Sequence, residues 1–344
     1  MPRSARCGCC RATSADRPRV PDPFNVSLPA CCSELGCLRS GTQRRHCNMT
    51  WALDSLPGST PQEKLIMAIV TLDALLNCLD LTEVEPGAWT GPHLQMDYRR
   101  IFGGQLLAQA IALGTKTSPG KTVKSISVAF PREGSLDGPL EYLLDQTQTG
   151  RTFATRHLTA AQDGKIFFEA LISLHDDQEV GLEHQDAMPD VPGPDESLPM
   201  DPGMIPWEIR VVDGVDLSAR TRGPARFSFW MRVSDRRLPD DPMVHQALMA
   251  HATDLTIIGT ALRPHDGYSQ ADTMVTLHTA VTTHQVWFHR RFRMDDWLLV
   301  DQHSPVTAGG RAFGLGHVYT RDGVLVASIA QESMIRLIDT PAPH

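Results

Sequence analysis

Cysteine is almost absent from most of this chain. Of the 8 cysteines in 344 residues, all but Cys78 stand at or before Cys47. A body with one cysteine is not held by disulfides, and a reducing, cytoplasmic setting is expected. No stretch is long and apolar enough to span a bilayer, so no membrane association is expected. Net positive charge is missing too. The formal balance is −8, which excludes a general nucleic-acid binder. The chain has no Gly-x-Ser-x-Gly elbow, no phosphate-cradling glycine loop and no zincin motif. Those absences leave out the common serine, nucleotide-hydrolysing and zinc-protease designs. The C-terminal Thr-Pro-Ala-Pro-His carries no peroxisomal or retention address.

Residues 1–48 are rich in Arg, Pro, Ser and Cys and lack periodicity, so they are expected to be a disordered extension, with Met49 as the natural start. The clusters Cys7, Cys9, Cys10 and Cys31, Cys32, Cys37 do not follow the usual paired zinc spacing, and no His pair follows at ligand distance. His284 and His289 fall on opposite faces of one strand without an acidic or Cys ligand nearby. Neither a metal nor a cofactor is expected.

What remains, with 41% hydrophobic and 21% charged residues, has ample material for a soluble core. The length suggests about two domains. Leu65, Ile69, Leu72, Leu76 and Leu79 recur at helical spacing and predict a helix over 61–79. Gly103 to Leu113 reads as an Ala-rich helix opened by a glycine pair, followed by strands up to His175. Residues 177–206 are acidic and dense in Pro and Gly, as a linker would be. Pro242 to Leu262 reads as a second continuous helix, with Asp254 inside it on a small, apolar face. A strand follows from Thr279 to Phe288. Simple alternation puts Thr279, Val281, Thr283 and Gln285 on one face, and Ala280, Thr282, His284 and Val286 on the other.

The two halves repeat. Val128-x-Phe130-x-Arg132 returns 158 residues later as Val286-x-Phe288-x-Arg290. Gly150-Arg151-x-Phe153-x-x-x-His157 returns after 160 as Gly310-Arg311-x-Phe313-x-x-x-His317, and Asp163-Gly164 after 159 as Asp322-Gly323. Three matches in one order at nearly one offset predict duplicated domains, each a long helix wrapped by antiparallel strands. The expected boundaries are 49–176 and 207–344, joined by 177–206.

Asp254 and Gln331 are the polar residues most out of place in their surroundings. A half-buried carboxylate on a helix needs partners or its pKa rises. Gln331 brings donors and an acceptor into the apolar run VLVASIAQESMIRL. The plainer readings are a helix Asp satisfied by a neighbouring Thr or His, and an outward-facing amide on an alternating strand. The Gly103-Gly104 pair opens a helix whose N–H groups can face an anion or a polarised carbonyl.

With these residues in view, the runs RIFGGQLLAQA (Arg100 to Ala110), VWFHRRF (Val286 to Phe292) and DGVLVASIAQESMIR (Asp322 to Arg336) resemble the type II acyl-CoA thioesterases, the TesB-like family. The resemblance extends over roughly 61–337. It implies an α+β double hotdog fold and hydrolysis of acyl-CoA to fatty acid and CoA, without a metal and without a covalent serine intermediate. In that family an Asp, a Ser or Thr, and a Gln hold one water. The resemblance carries the Asp onto Asp254 and the Gln onto Gln331. The hydroxyl position falls on Val281, where this chain departs from the pattern. Thr282 or Thr283 is the candidate substitute, Thr282 by way of a bulge; Thr279 and Thr283 share the face of Val281, each about 6–7 Å away along the strand. Gly103 and Gly104 are candidates for substrate binding, and Arg151 and Arg311 for cationic contacts to CoA. A homo-oligomer, dimer or tetramer, is implied by the resemblance alone. Val281 also motivates a second reading, an acyl-CoA-binding protein with weak or lost hydrolysis. An enoyl-CoA hydratase is a third, but it would pair Asp and His within one motif, which is not found.

Overall fold

The computed structural model describes residues 70–96, 100–176, 181–203, 205–233 and 237–338. The expectations for the N-terminal extension, its cysteine clusters and the first turns of the helix over 61–79 lie outside these residues. Of that helix, α1 (Leu72–Asn77) is described.

Every strand joins one antiparallel sheet. In the first half the strands are β1 (Thr82–Glu85), β2 (Ala88–Gly91), β3 (Thr122–Ala129), β4 (Leu140–Thr149), β5 (Phe153–Gln162) and β6 (Lys165–His175). Then come β7 (Leu198–Met200), β8 (Trp207–Val211), β9 (Arg226–Val233), β10 (Leu277–Phe288), β11 (Leu298–Ala308), β12 (Arg311–Thr320) and β13 (Leu325–Leu337). The order across the sheet is β1-β2-β4-β5-β6-β3-β10-β13-β12-β11-β9-β8-β7. Read outward from the β3–β10 pair, β6, β5 and β4 on one side answer β13, β12 and β11 on the other. The sequence repeat is therefore a spatial repeat, and its motifs occupy matching turns. Asp163-Gly164 joins β5 to β6 as Asp322-Gly323 joins β12 to β13, and Gly164 and Gly323 both take positive φ there.

Two helices lie buried against this sheet. α2 (Gly103–Lys116) has most of its residues buried, and α3 (Pro242–Thr253) is buried from Val244 onward. Both helices are rich in buried alanine, among them Ala108, Ala112, Ala247 and Ala250. Gln109 ties α2 to the segment before it. Its amide donates to the Cys78 and Pro92 carbonyls, and it accepts from the Tyr142 hydroxyl at 2.7 Å. At the other end of α2, the fully buried Arg156 donates to the Thr117 carbonyl at 2.8 Å. A cation there also complements the helix dipole.

Two expectations are corrected. Residues 242–262 are not one helix: α3 stops at Thr253, and a short α4 (Ile257–Leu262) starts afterwards. Asp254 caps the break instead of lying inside a helix. Simple alternation along β10 also fails. The pairing with β13 slips between Val281↔Ser333 and Thr283↔Glu332, leaving Thr282 as an extra residue. Leu277 and Thr279 are buried before the slip, and His284, Val286 and Phe288 after it, so the buried face changes from odd to even numbers.

Candidate active site

The site forms where the start of α2 meets the end of α3. No side chain of its own caps α2; Phe102 stands at the N-cap. The group that takes up a free N–H there comes from α3, as the Gly104 N–H donates to the Asp254 carboxylate. The glycine pair makes this approach possible. A Cβ on Gly103 would lie 2.6 Å from Asp254 Oδ2, and one on Gly104 would lie 2.5 Å from the His251 carbonyl oxygen. No larger residue fits without moving one helix against the other.

Asp254 is half-buried with its Oδ1 shielded from solvent, and burial pushes its pKa up from 3.8 to about 7. The Gly104 N–H and the charge of Arg100 pull the other way without cancelling that effect. Its Oδ1 has no hydrogen-bond partner. His251, one turn earlier on α3, is no counter-ion. It is buried against Phe102 and Trp207, and burial holds its pKa down at about 3.

Asp254 lines a cavity of about 460 Å³. Phe102, Leu106, Phe130, Phe167 and Leu255 supply much of its apolar wall, and β10 from His278 to Thr282 supplies another. Arg100 stands on the rim, paired with Glu133 and donating to the Thr279 carbonyl at 3.0 Å. Three further polar atoms on this lining are buried without partners: Thr279 Oγ1, Thr273 Oγ1 and Gln270 Oε1. A buried polar atom left unpaired costs about 1–3 kcal/mol. Orphans gathered around one cavity therefore mark where a polar ligand or water fits.

The expected residues divide. Asp254, Gly103, Val281 and Thr282 line the cavity together. Thr282 donates its hydroxyl to the Glu332 carbonyl at 3.0 Å, so its proton is engaged. Thr283 does not line the cavity; past the bulge it pairs with Glu332 on the opposite face. Gln331 is buried but lies off the lining as well. Its Oε1 accepts from His284 Nδ1 at 2.9 Å, and its amide donates to Ser333 Oγ at 2.9 Å. His284 is neutral, its pKa held at about 4 chiefly by burial, and its Nε2 accepts from the Thr253 hydroxyl at 3.0 Å. Gln331 is thus joined to the residue beside Asp254 through His284. The arginines in the repeated turns are not at the cavity. Arg151 is exposed in the turn between β4 and β5, and Arg311 pairs with Glu332 at 3.1 Å.

Sequence reasoning passed over Arg100, Thr273 and Gln270, and named Thr282 and Thr283 rather than Thr279 as the substitute hydroxyl. The only available signal was a polar residue beside the glycine motif and threonines before the strand. Neither separates a cavity wall from a surface.

Similarity to known proteins points the same way. Residues 92–175 match the family described as acyl-CoA thioesterase N-terminal domain, and residues 217–334 match the acyl-CoA thioesterase family. Acyl-coenzyme A thioesterase 8 of Homo sapiens is 31% identical over 284 residues, covering 75% of this chain and 88% of that protein. Acyl-CoA thioesterase 2 of Haemophilus influenzae is 28% identical, covering 77% and 98%. Among solved structures, acyl-CoA thioesterase II TesB2 from Mycobacterium marinum superposes with a TM-score of 0.66 at 34% identity, covering 77% of this chain and 99% of that one.

Proposed function

The chain belongs to the type II acyl-CoA thioesterase family, with its double hotdog fold and acyl-CoA hydrolysis, and we propose that Asp254 is its general base. The observation that carries the reading is a half-buried carboxylate with pKa near 7, held on a helix N-terminus beside an apolar cavity. A base titrating close to working pH is well matched to proton abstraction from water. A thioester carbonyl is already electrophilic, so a positioned water and one polarising dipole suffice. The start of α2 supplies that dipole.

In this mechanism Asp254 Oδ1 takes a proton from water as the water oxygen attacks the thioester carbon. The carbon–sulfur bond then breaks, and the thiolate of CoA leaves and is reprotonated. No covalent intermediate or metal is required. Thr279 Oγ1 is the hydroxyl that holds the water in place of the one lost at Val281. It is buried, unpartnered and on the same lining as Asp254. Gln331 acts through His284, fixing the β10 wall against the end of α3.

The coarse organisation is proposed in the same terms. The duplicated units span 49–176 and 207–344, with 177–206 between them. Leu143, Phe153, Leu171 and Trp287 are exposed on strands of the sheet, which supports a homo-oligomer, dimer or tetramer, formed through it. The single body cysteine, Cys78, is free and buried, in keeping with the cytoplasm.

The test is thiol release from acyl-CoAs of several chain lengths. Wild type is expected to release CoA, and Asp254→Asn to fall to background. Hydrolysis by the variant at the wild-type rate overturns the assignment. Acyl-CoA binding without any wild-type release favours the carrier reading.

A further inference from the structure

A second cavity, about 780 Å³, lies apart from the one holding Asp254. It lies at the opposite end of the helix pair, where α3 begins. The repeat explains why. Phe130, Pro131, Arg132 and Glu133 line the Asp254 cavity; 158 residues later Phe288, His289, Arg290 and Arg291 line this one. The start of β10 borders the first cavity, and the start of β3, from Thr122 to Lys124, borders the second. They are two copies of one site, related by the symmetry of the sheet.

The copies have diverged in three ways. First, the second has no counterpart of Asp254 at the facing helix end. Asp254 caps α3, whereas Thr117 caps α2, with its hydroxyl on the Leu113 carbonyl and its own carbonyl held by Arg156. Second, the glycine pair that admits a carboxylate to α2 is replaced at the start of α3 by Pro242 and Met243. Third, charge has reversed where Glu133 becomes Arg291, and Lys124 and Arg321 join Arg290 on the wall. Asp240, Asp295, Asp296 and Asp322 also line it, with Arg293 bound to Asp295 and Asp240.

His245 and Gln246 are buried on this lining, and Gln246 has an atom without a partner. Met294 N–H donates to His245 Nδ1 at 3.1 Å, so neutral His245 carries its proton on Nε2, which the Pro239 carbonyl takes up. Gln246 donates to the Val123 carbonyl at 2.7 Å, but its Oε1 accepts nothing. Aromatic faces are present as well, with the Phe288 and Phe292 rings stacked at 6.1 Å.

The geometry points to a second, non-hydrolytic site that holds a phosphate-bearing nucleotide, CoA itself being the ligand to which the duplication commits it. The site rests on the thioesterase reading only through that shared ancestry. Arginine and lysine recognise the phosphates, aromatic rings offer stacking, and the orphaned Gln246 oxygen suits an N–H of a base or amide. The volume falls in the range of small-molecule sites.

The test is equilibrium binding of CoA to the full chain by calorimetry, with ATP as a competitor lacking the thiol arm. Wild type is expected to bind two CoA per chain. The double variant Lys124→Glu, Arg291→Glu is expected to keep one site and to weaken the other at least tenfold, with thiol release at low acyl-CoA within about twofold of wild type. The conservative Arg291→Lys is expected to keep both, which separates charge from misfolding. ATP displacing one equivalent extends the site to adenine nucleotides, and ATP displacing none confines it to CoA. A single CoA in wild type, or two undiminished sites in the reversed variant, overturns the proposal. Neither result depends on whether Asp254 is the base.

Discussion

Replacing Asp254 by asparagine is expected to stabilise the fold at neutral and alkaline pH while removing its activity. The folded carboxyl titrates at about 7 and the unfolded one near 3.8, so the fold prefers the protonated form. Below pH 4 both states are protonated and the residue makes no pH-dependent difference. Between pH 4 and 7 the folded chain binds the extra proton, and stability falls as pH rises. Above pH 7 the ionised carboxylate imposes its full cost, about 4 kcal/mol at about 1.4 kcal/mol for each pH unit between the two pKa values. Asparagine has the shape of the neutral acid and keeps an oxygen for the Gly104 N–H. Urea unfolding of both proteins from pH 5 to 9 measures the difference, in which titrations common to both cancel. The variant's advantage is expected to grow with pH and level off above 7. A difference that stays flat with pH, or a variant less stable than wild type at pH 8.5, refutes the burial argument.

Thr279→Val is expected to lower kcat by about 10²-fold to 10³-fold, the usual effect of losing one aimed hydrogen bond. Adding Val281→Thr to that variant restores part of the rate by returning a hydroxyl at nearly unchanged volume, and steady-state thiol release reads both. Gly104→Ala drives a methyl to 2.5 Å from the His251 carbonyl. It is expected to cost about 1–3 kcal/mol in chemical denaturation and to reduce turnover by withdrawing the α2 terminus from Asp254.

The duplication was legible because turns and strand ends are written locally. Asp-Gly and Gly-Arg pairs mark hairpins wherever they occur, and their common spacing exposes the repeat. The bulge at Thr282 was not legible, since it is a property of pairing. Nothing in LHTAVTTHQVWF separates one threonine from the next until Ser333 and Glu332 are set opposite them. The break at Asp254 was hidden for a related reason. Leu255 and Ile258 continue the apolar stripe of α3, and no Pro or Gly interrupts it before Gly259. What ends the helix is the neighbouring start of α2, a tertiary partner. The second cavity escaped notice because its chemistry comes from four separate segments, each a plain surface stretch by itself.

The account rests on Asp254 acting as a base whose burial brings its titration to neutrality. The pH dependence of kcat/KM for thiol release from one acyl-CoA tests this most directly. The rate is expected to rise tenfold per pH unit at acid pH and to level off through a single ionisation near 7. A profile flat from pH 5 to 9, or one that breaks near the ordinary carboxylate value of about 4, contradicts it.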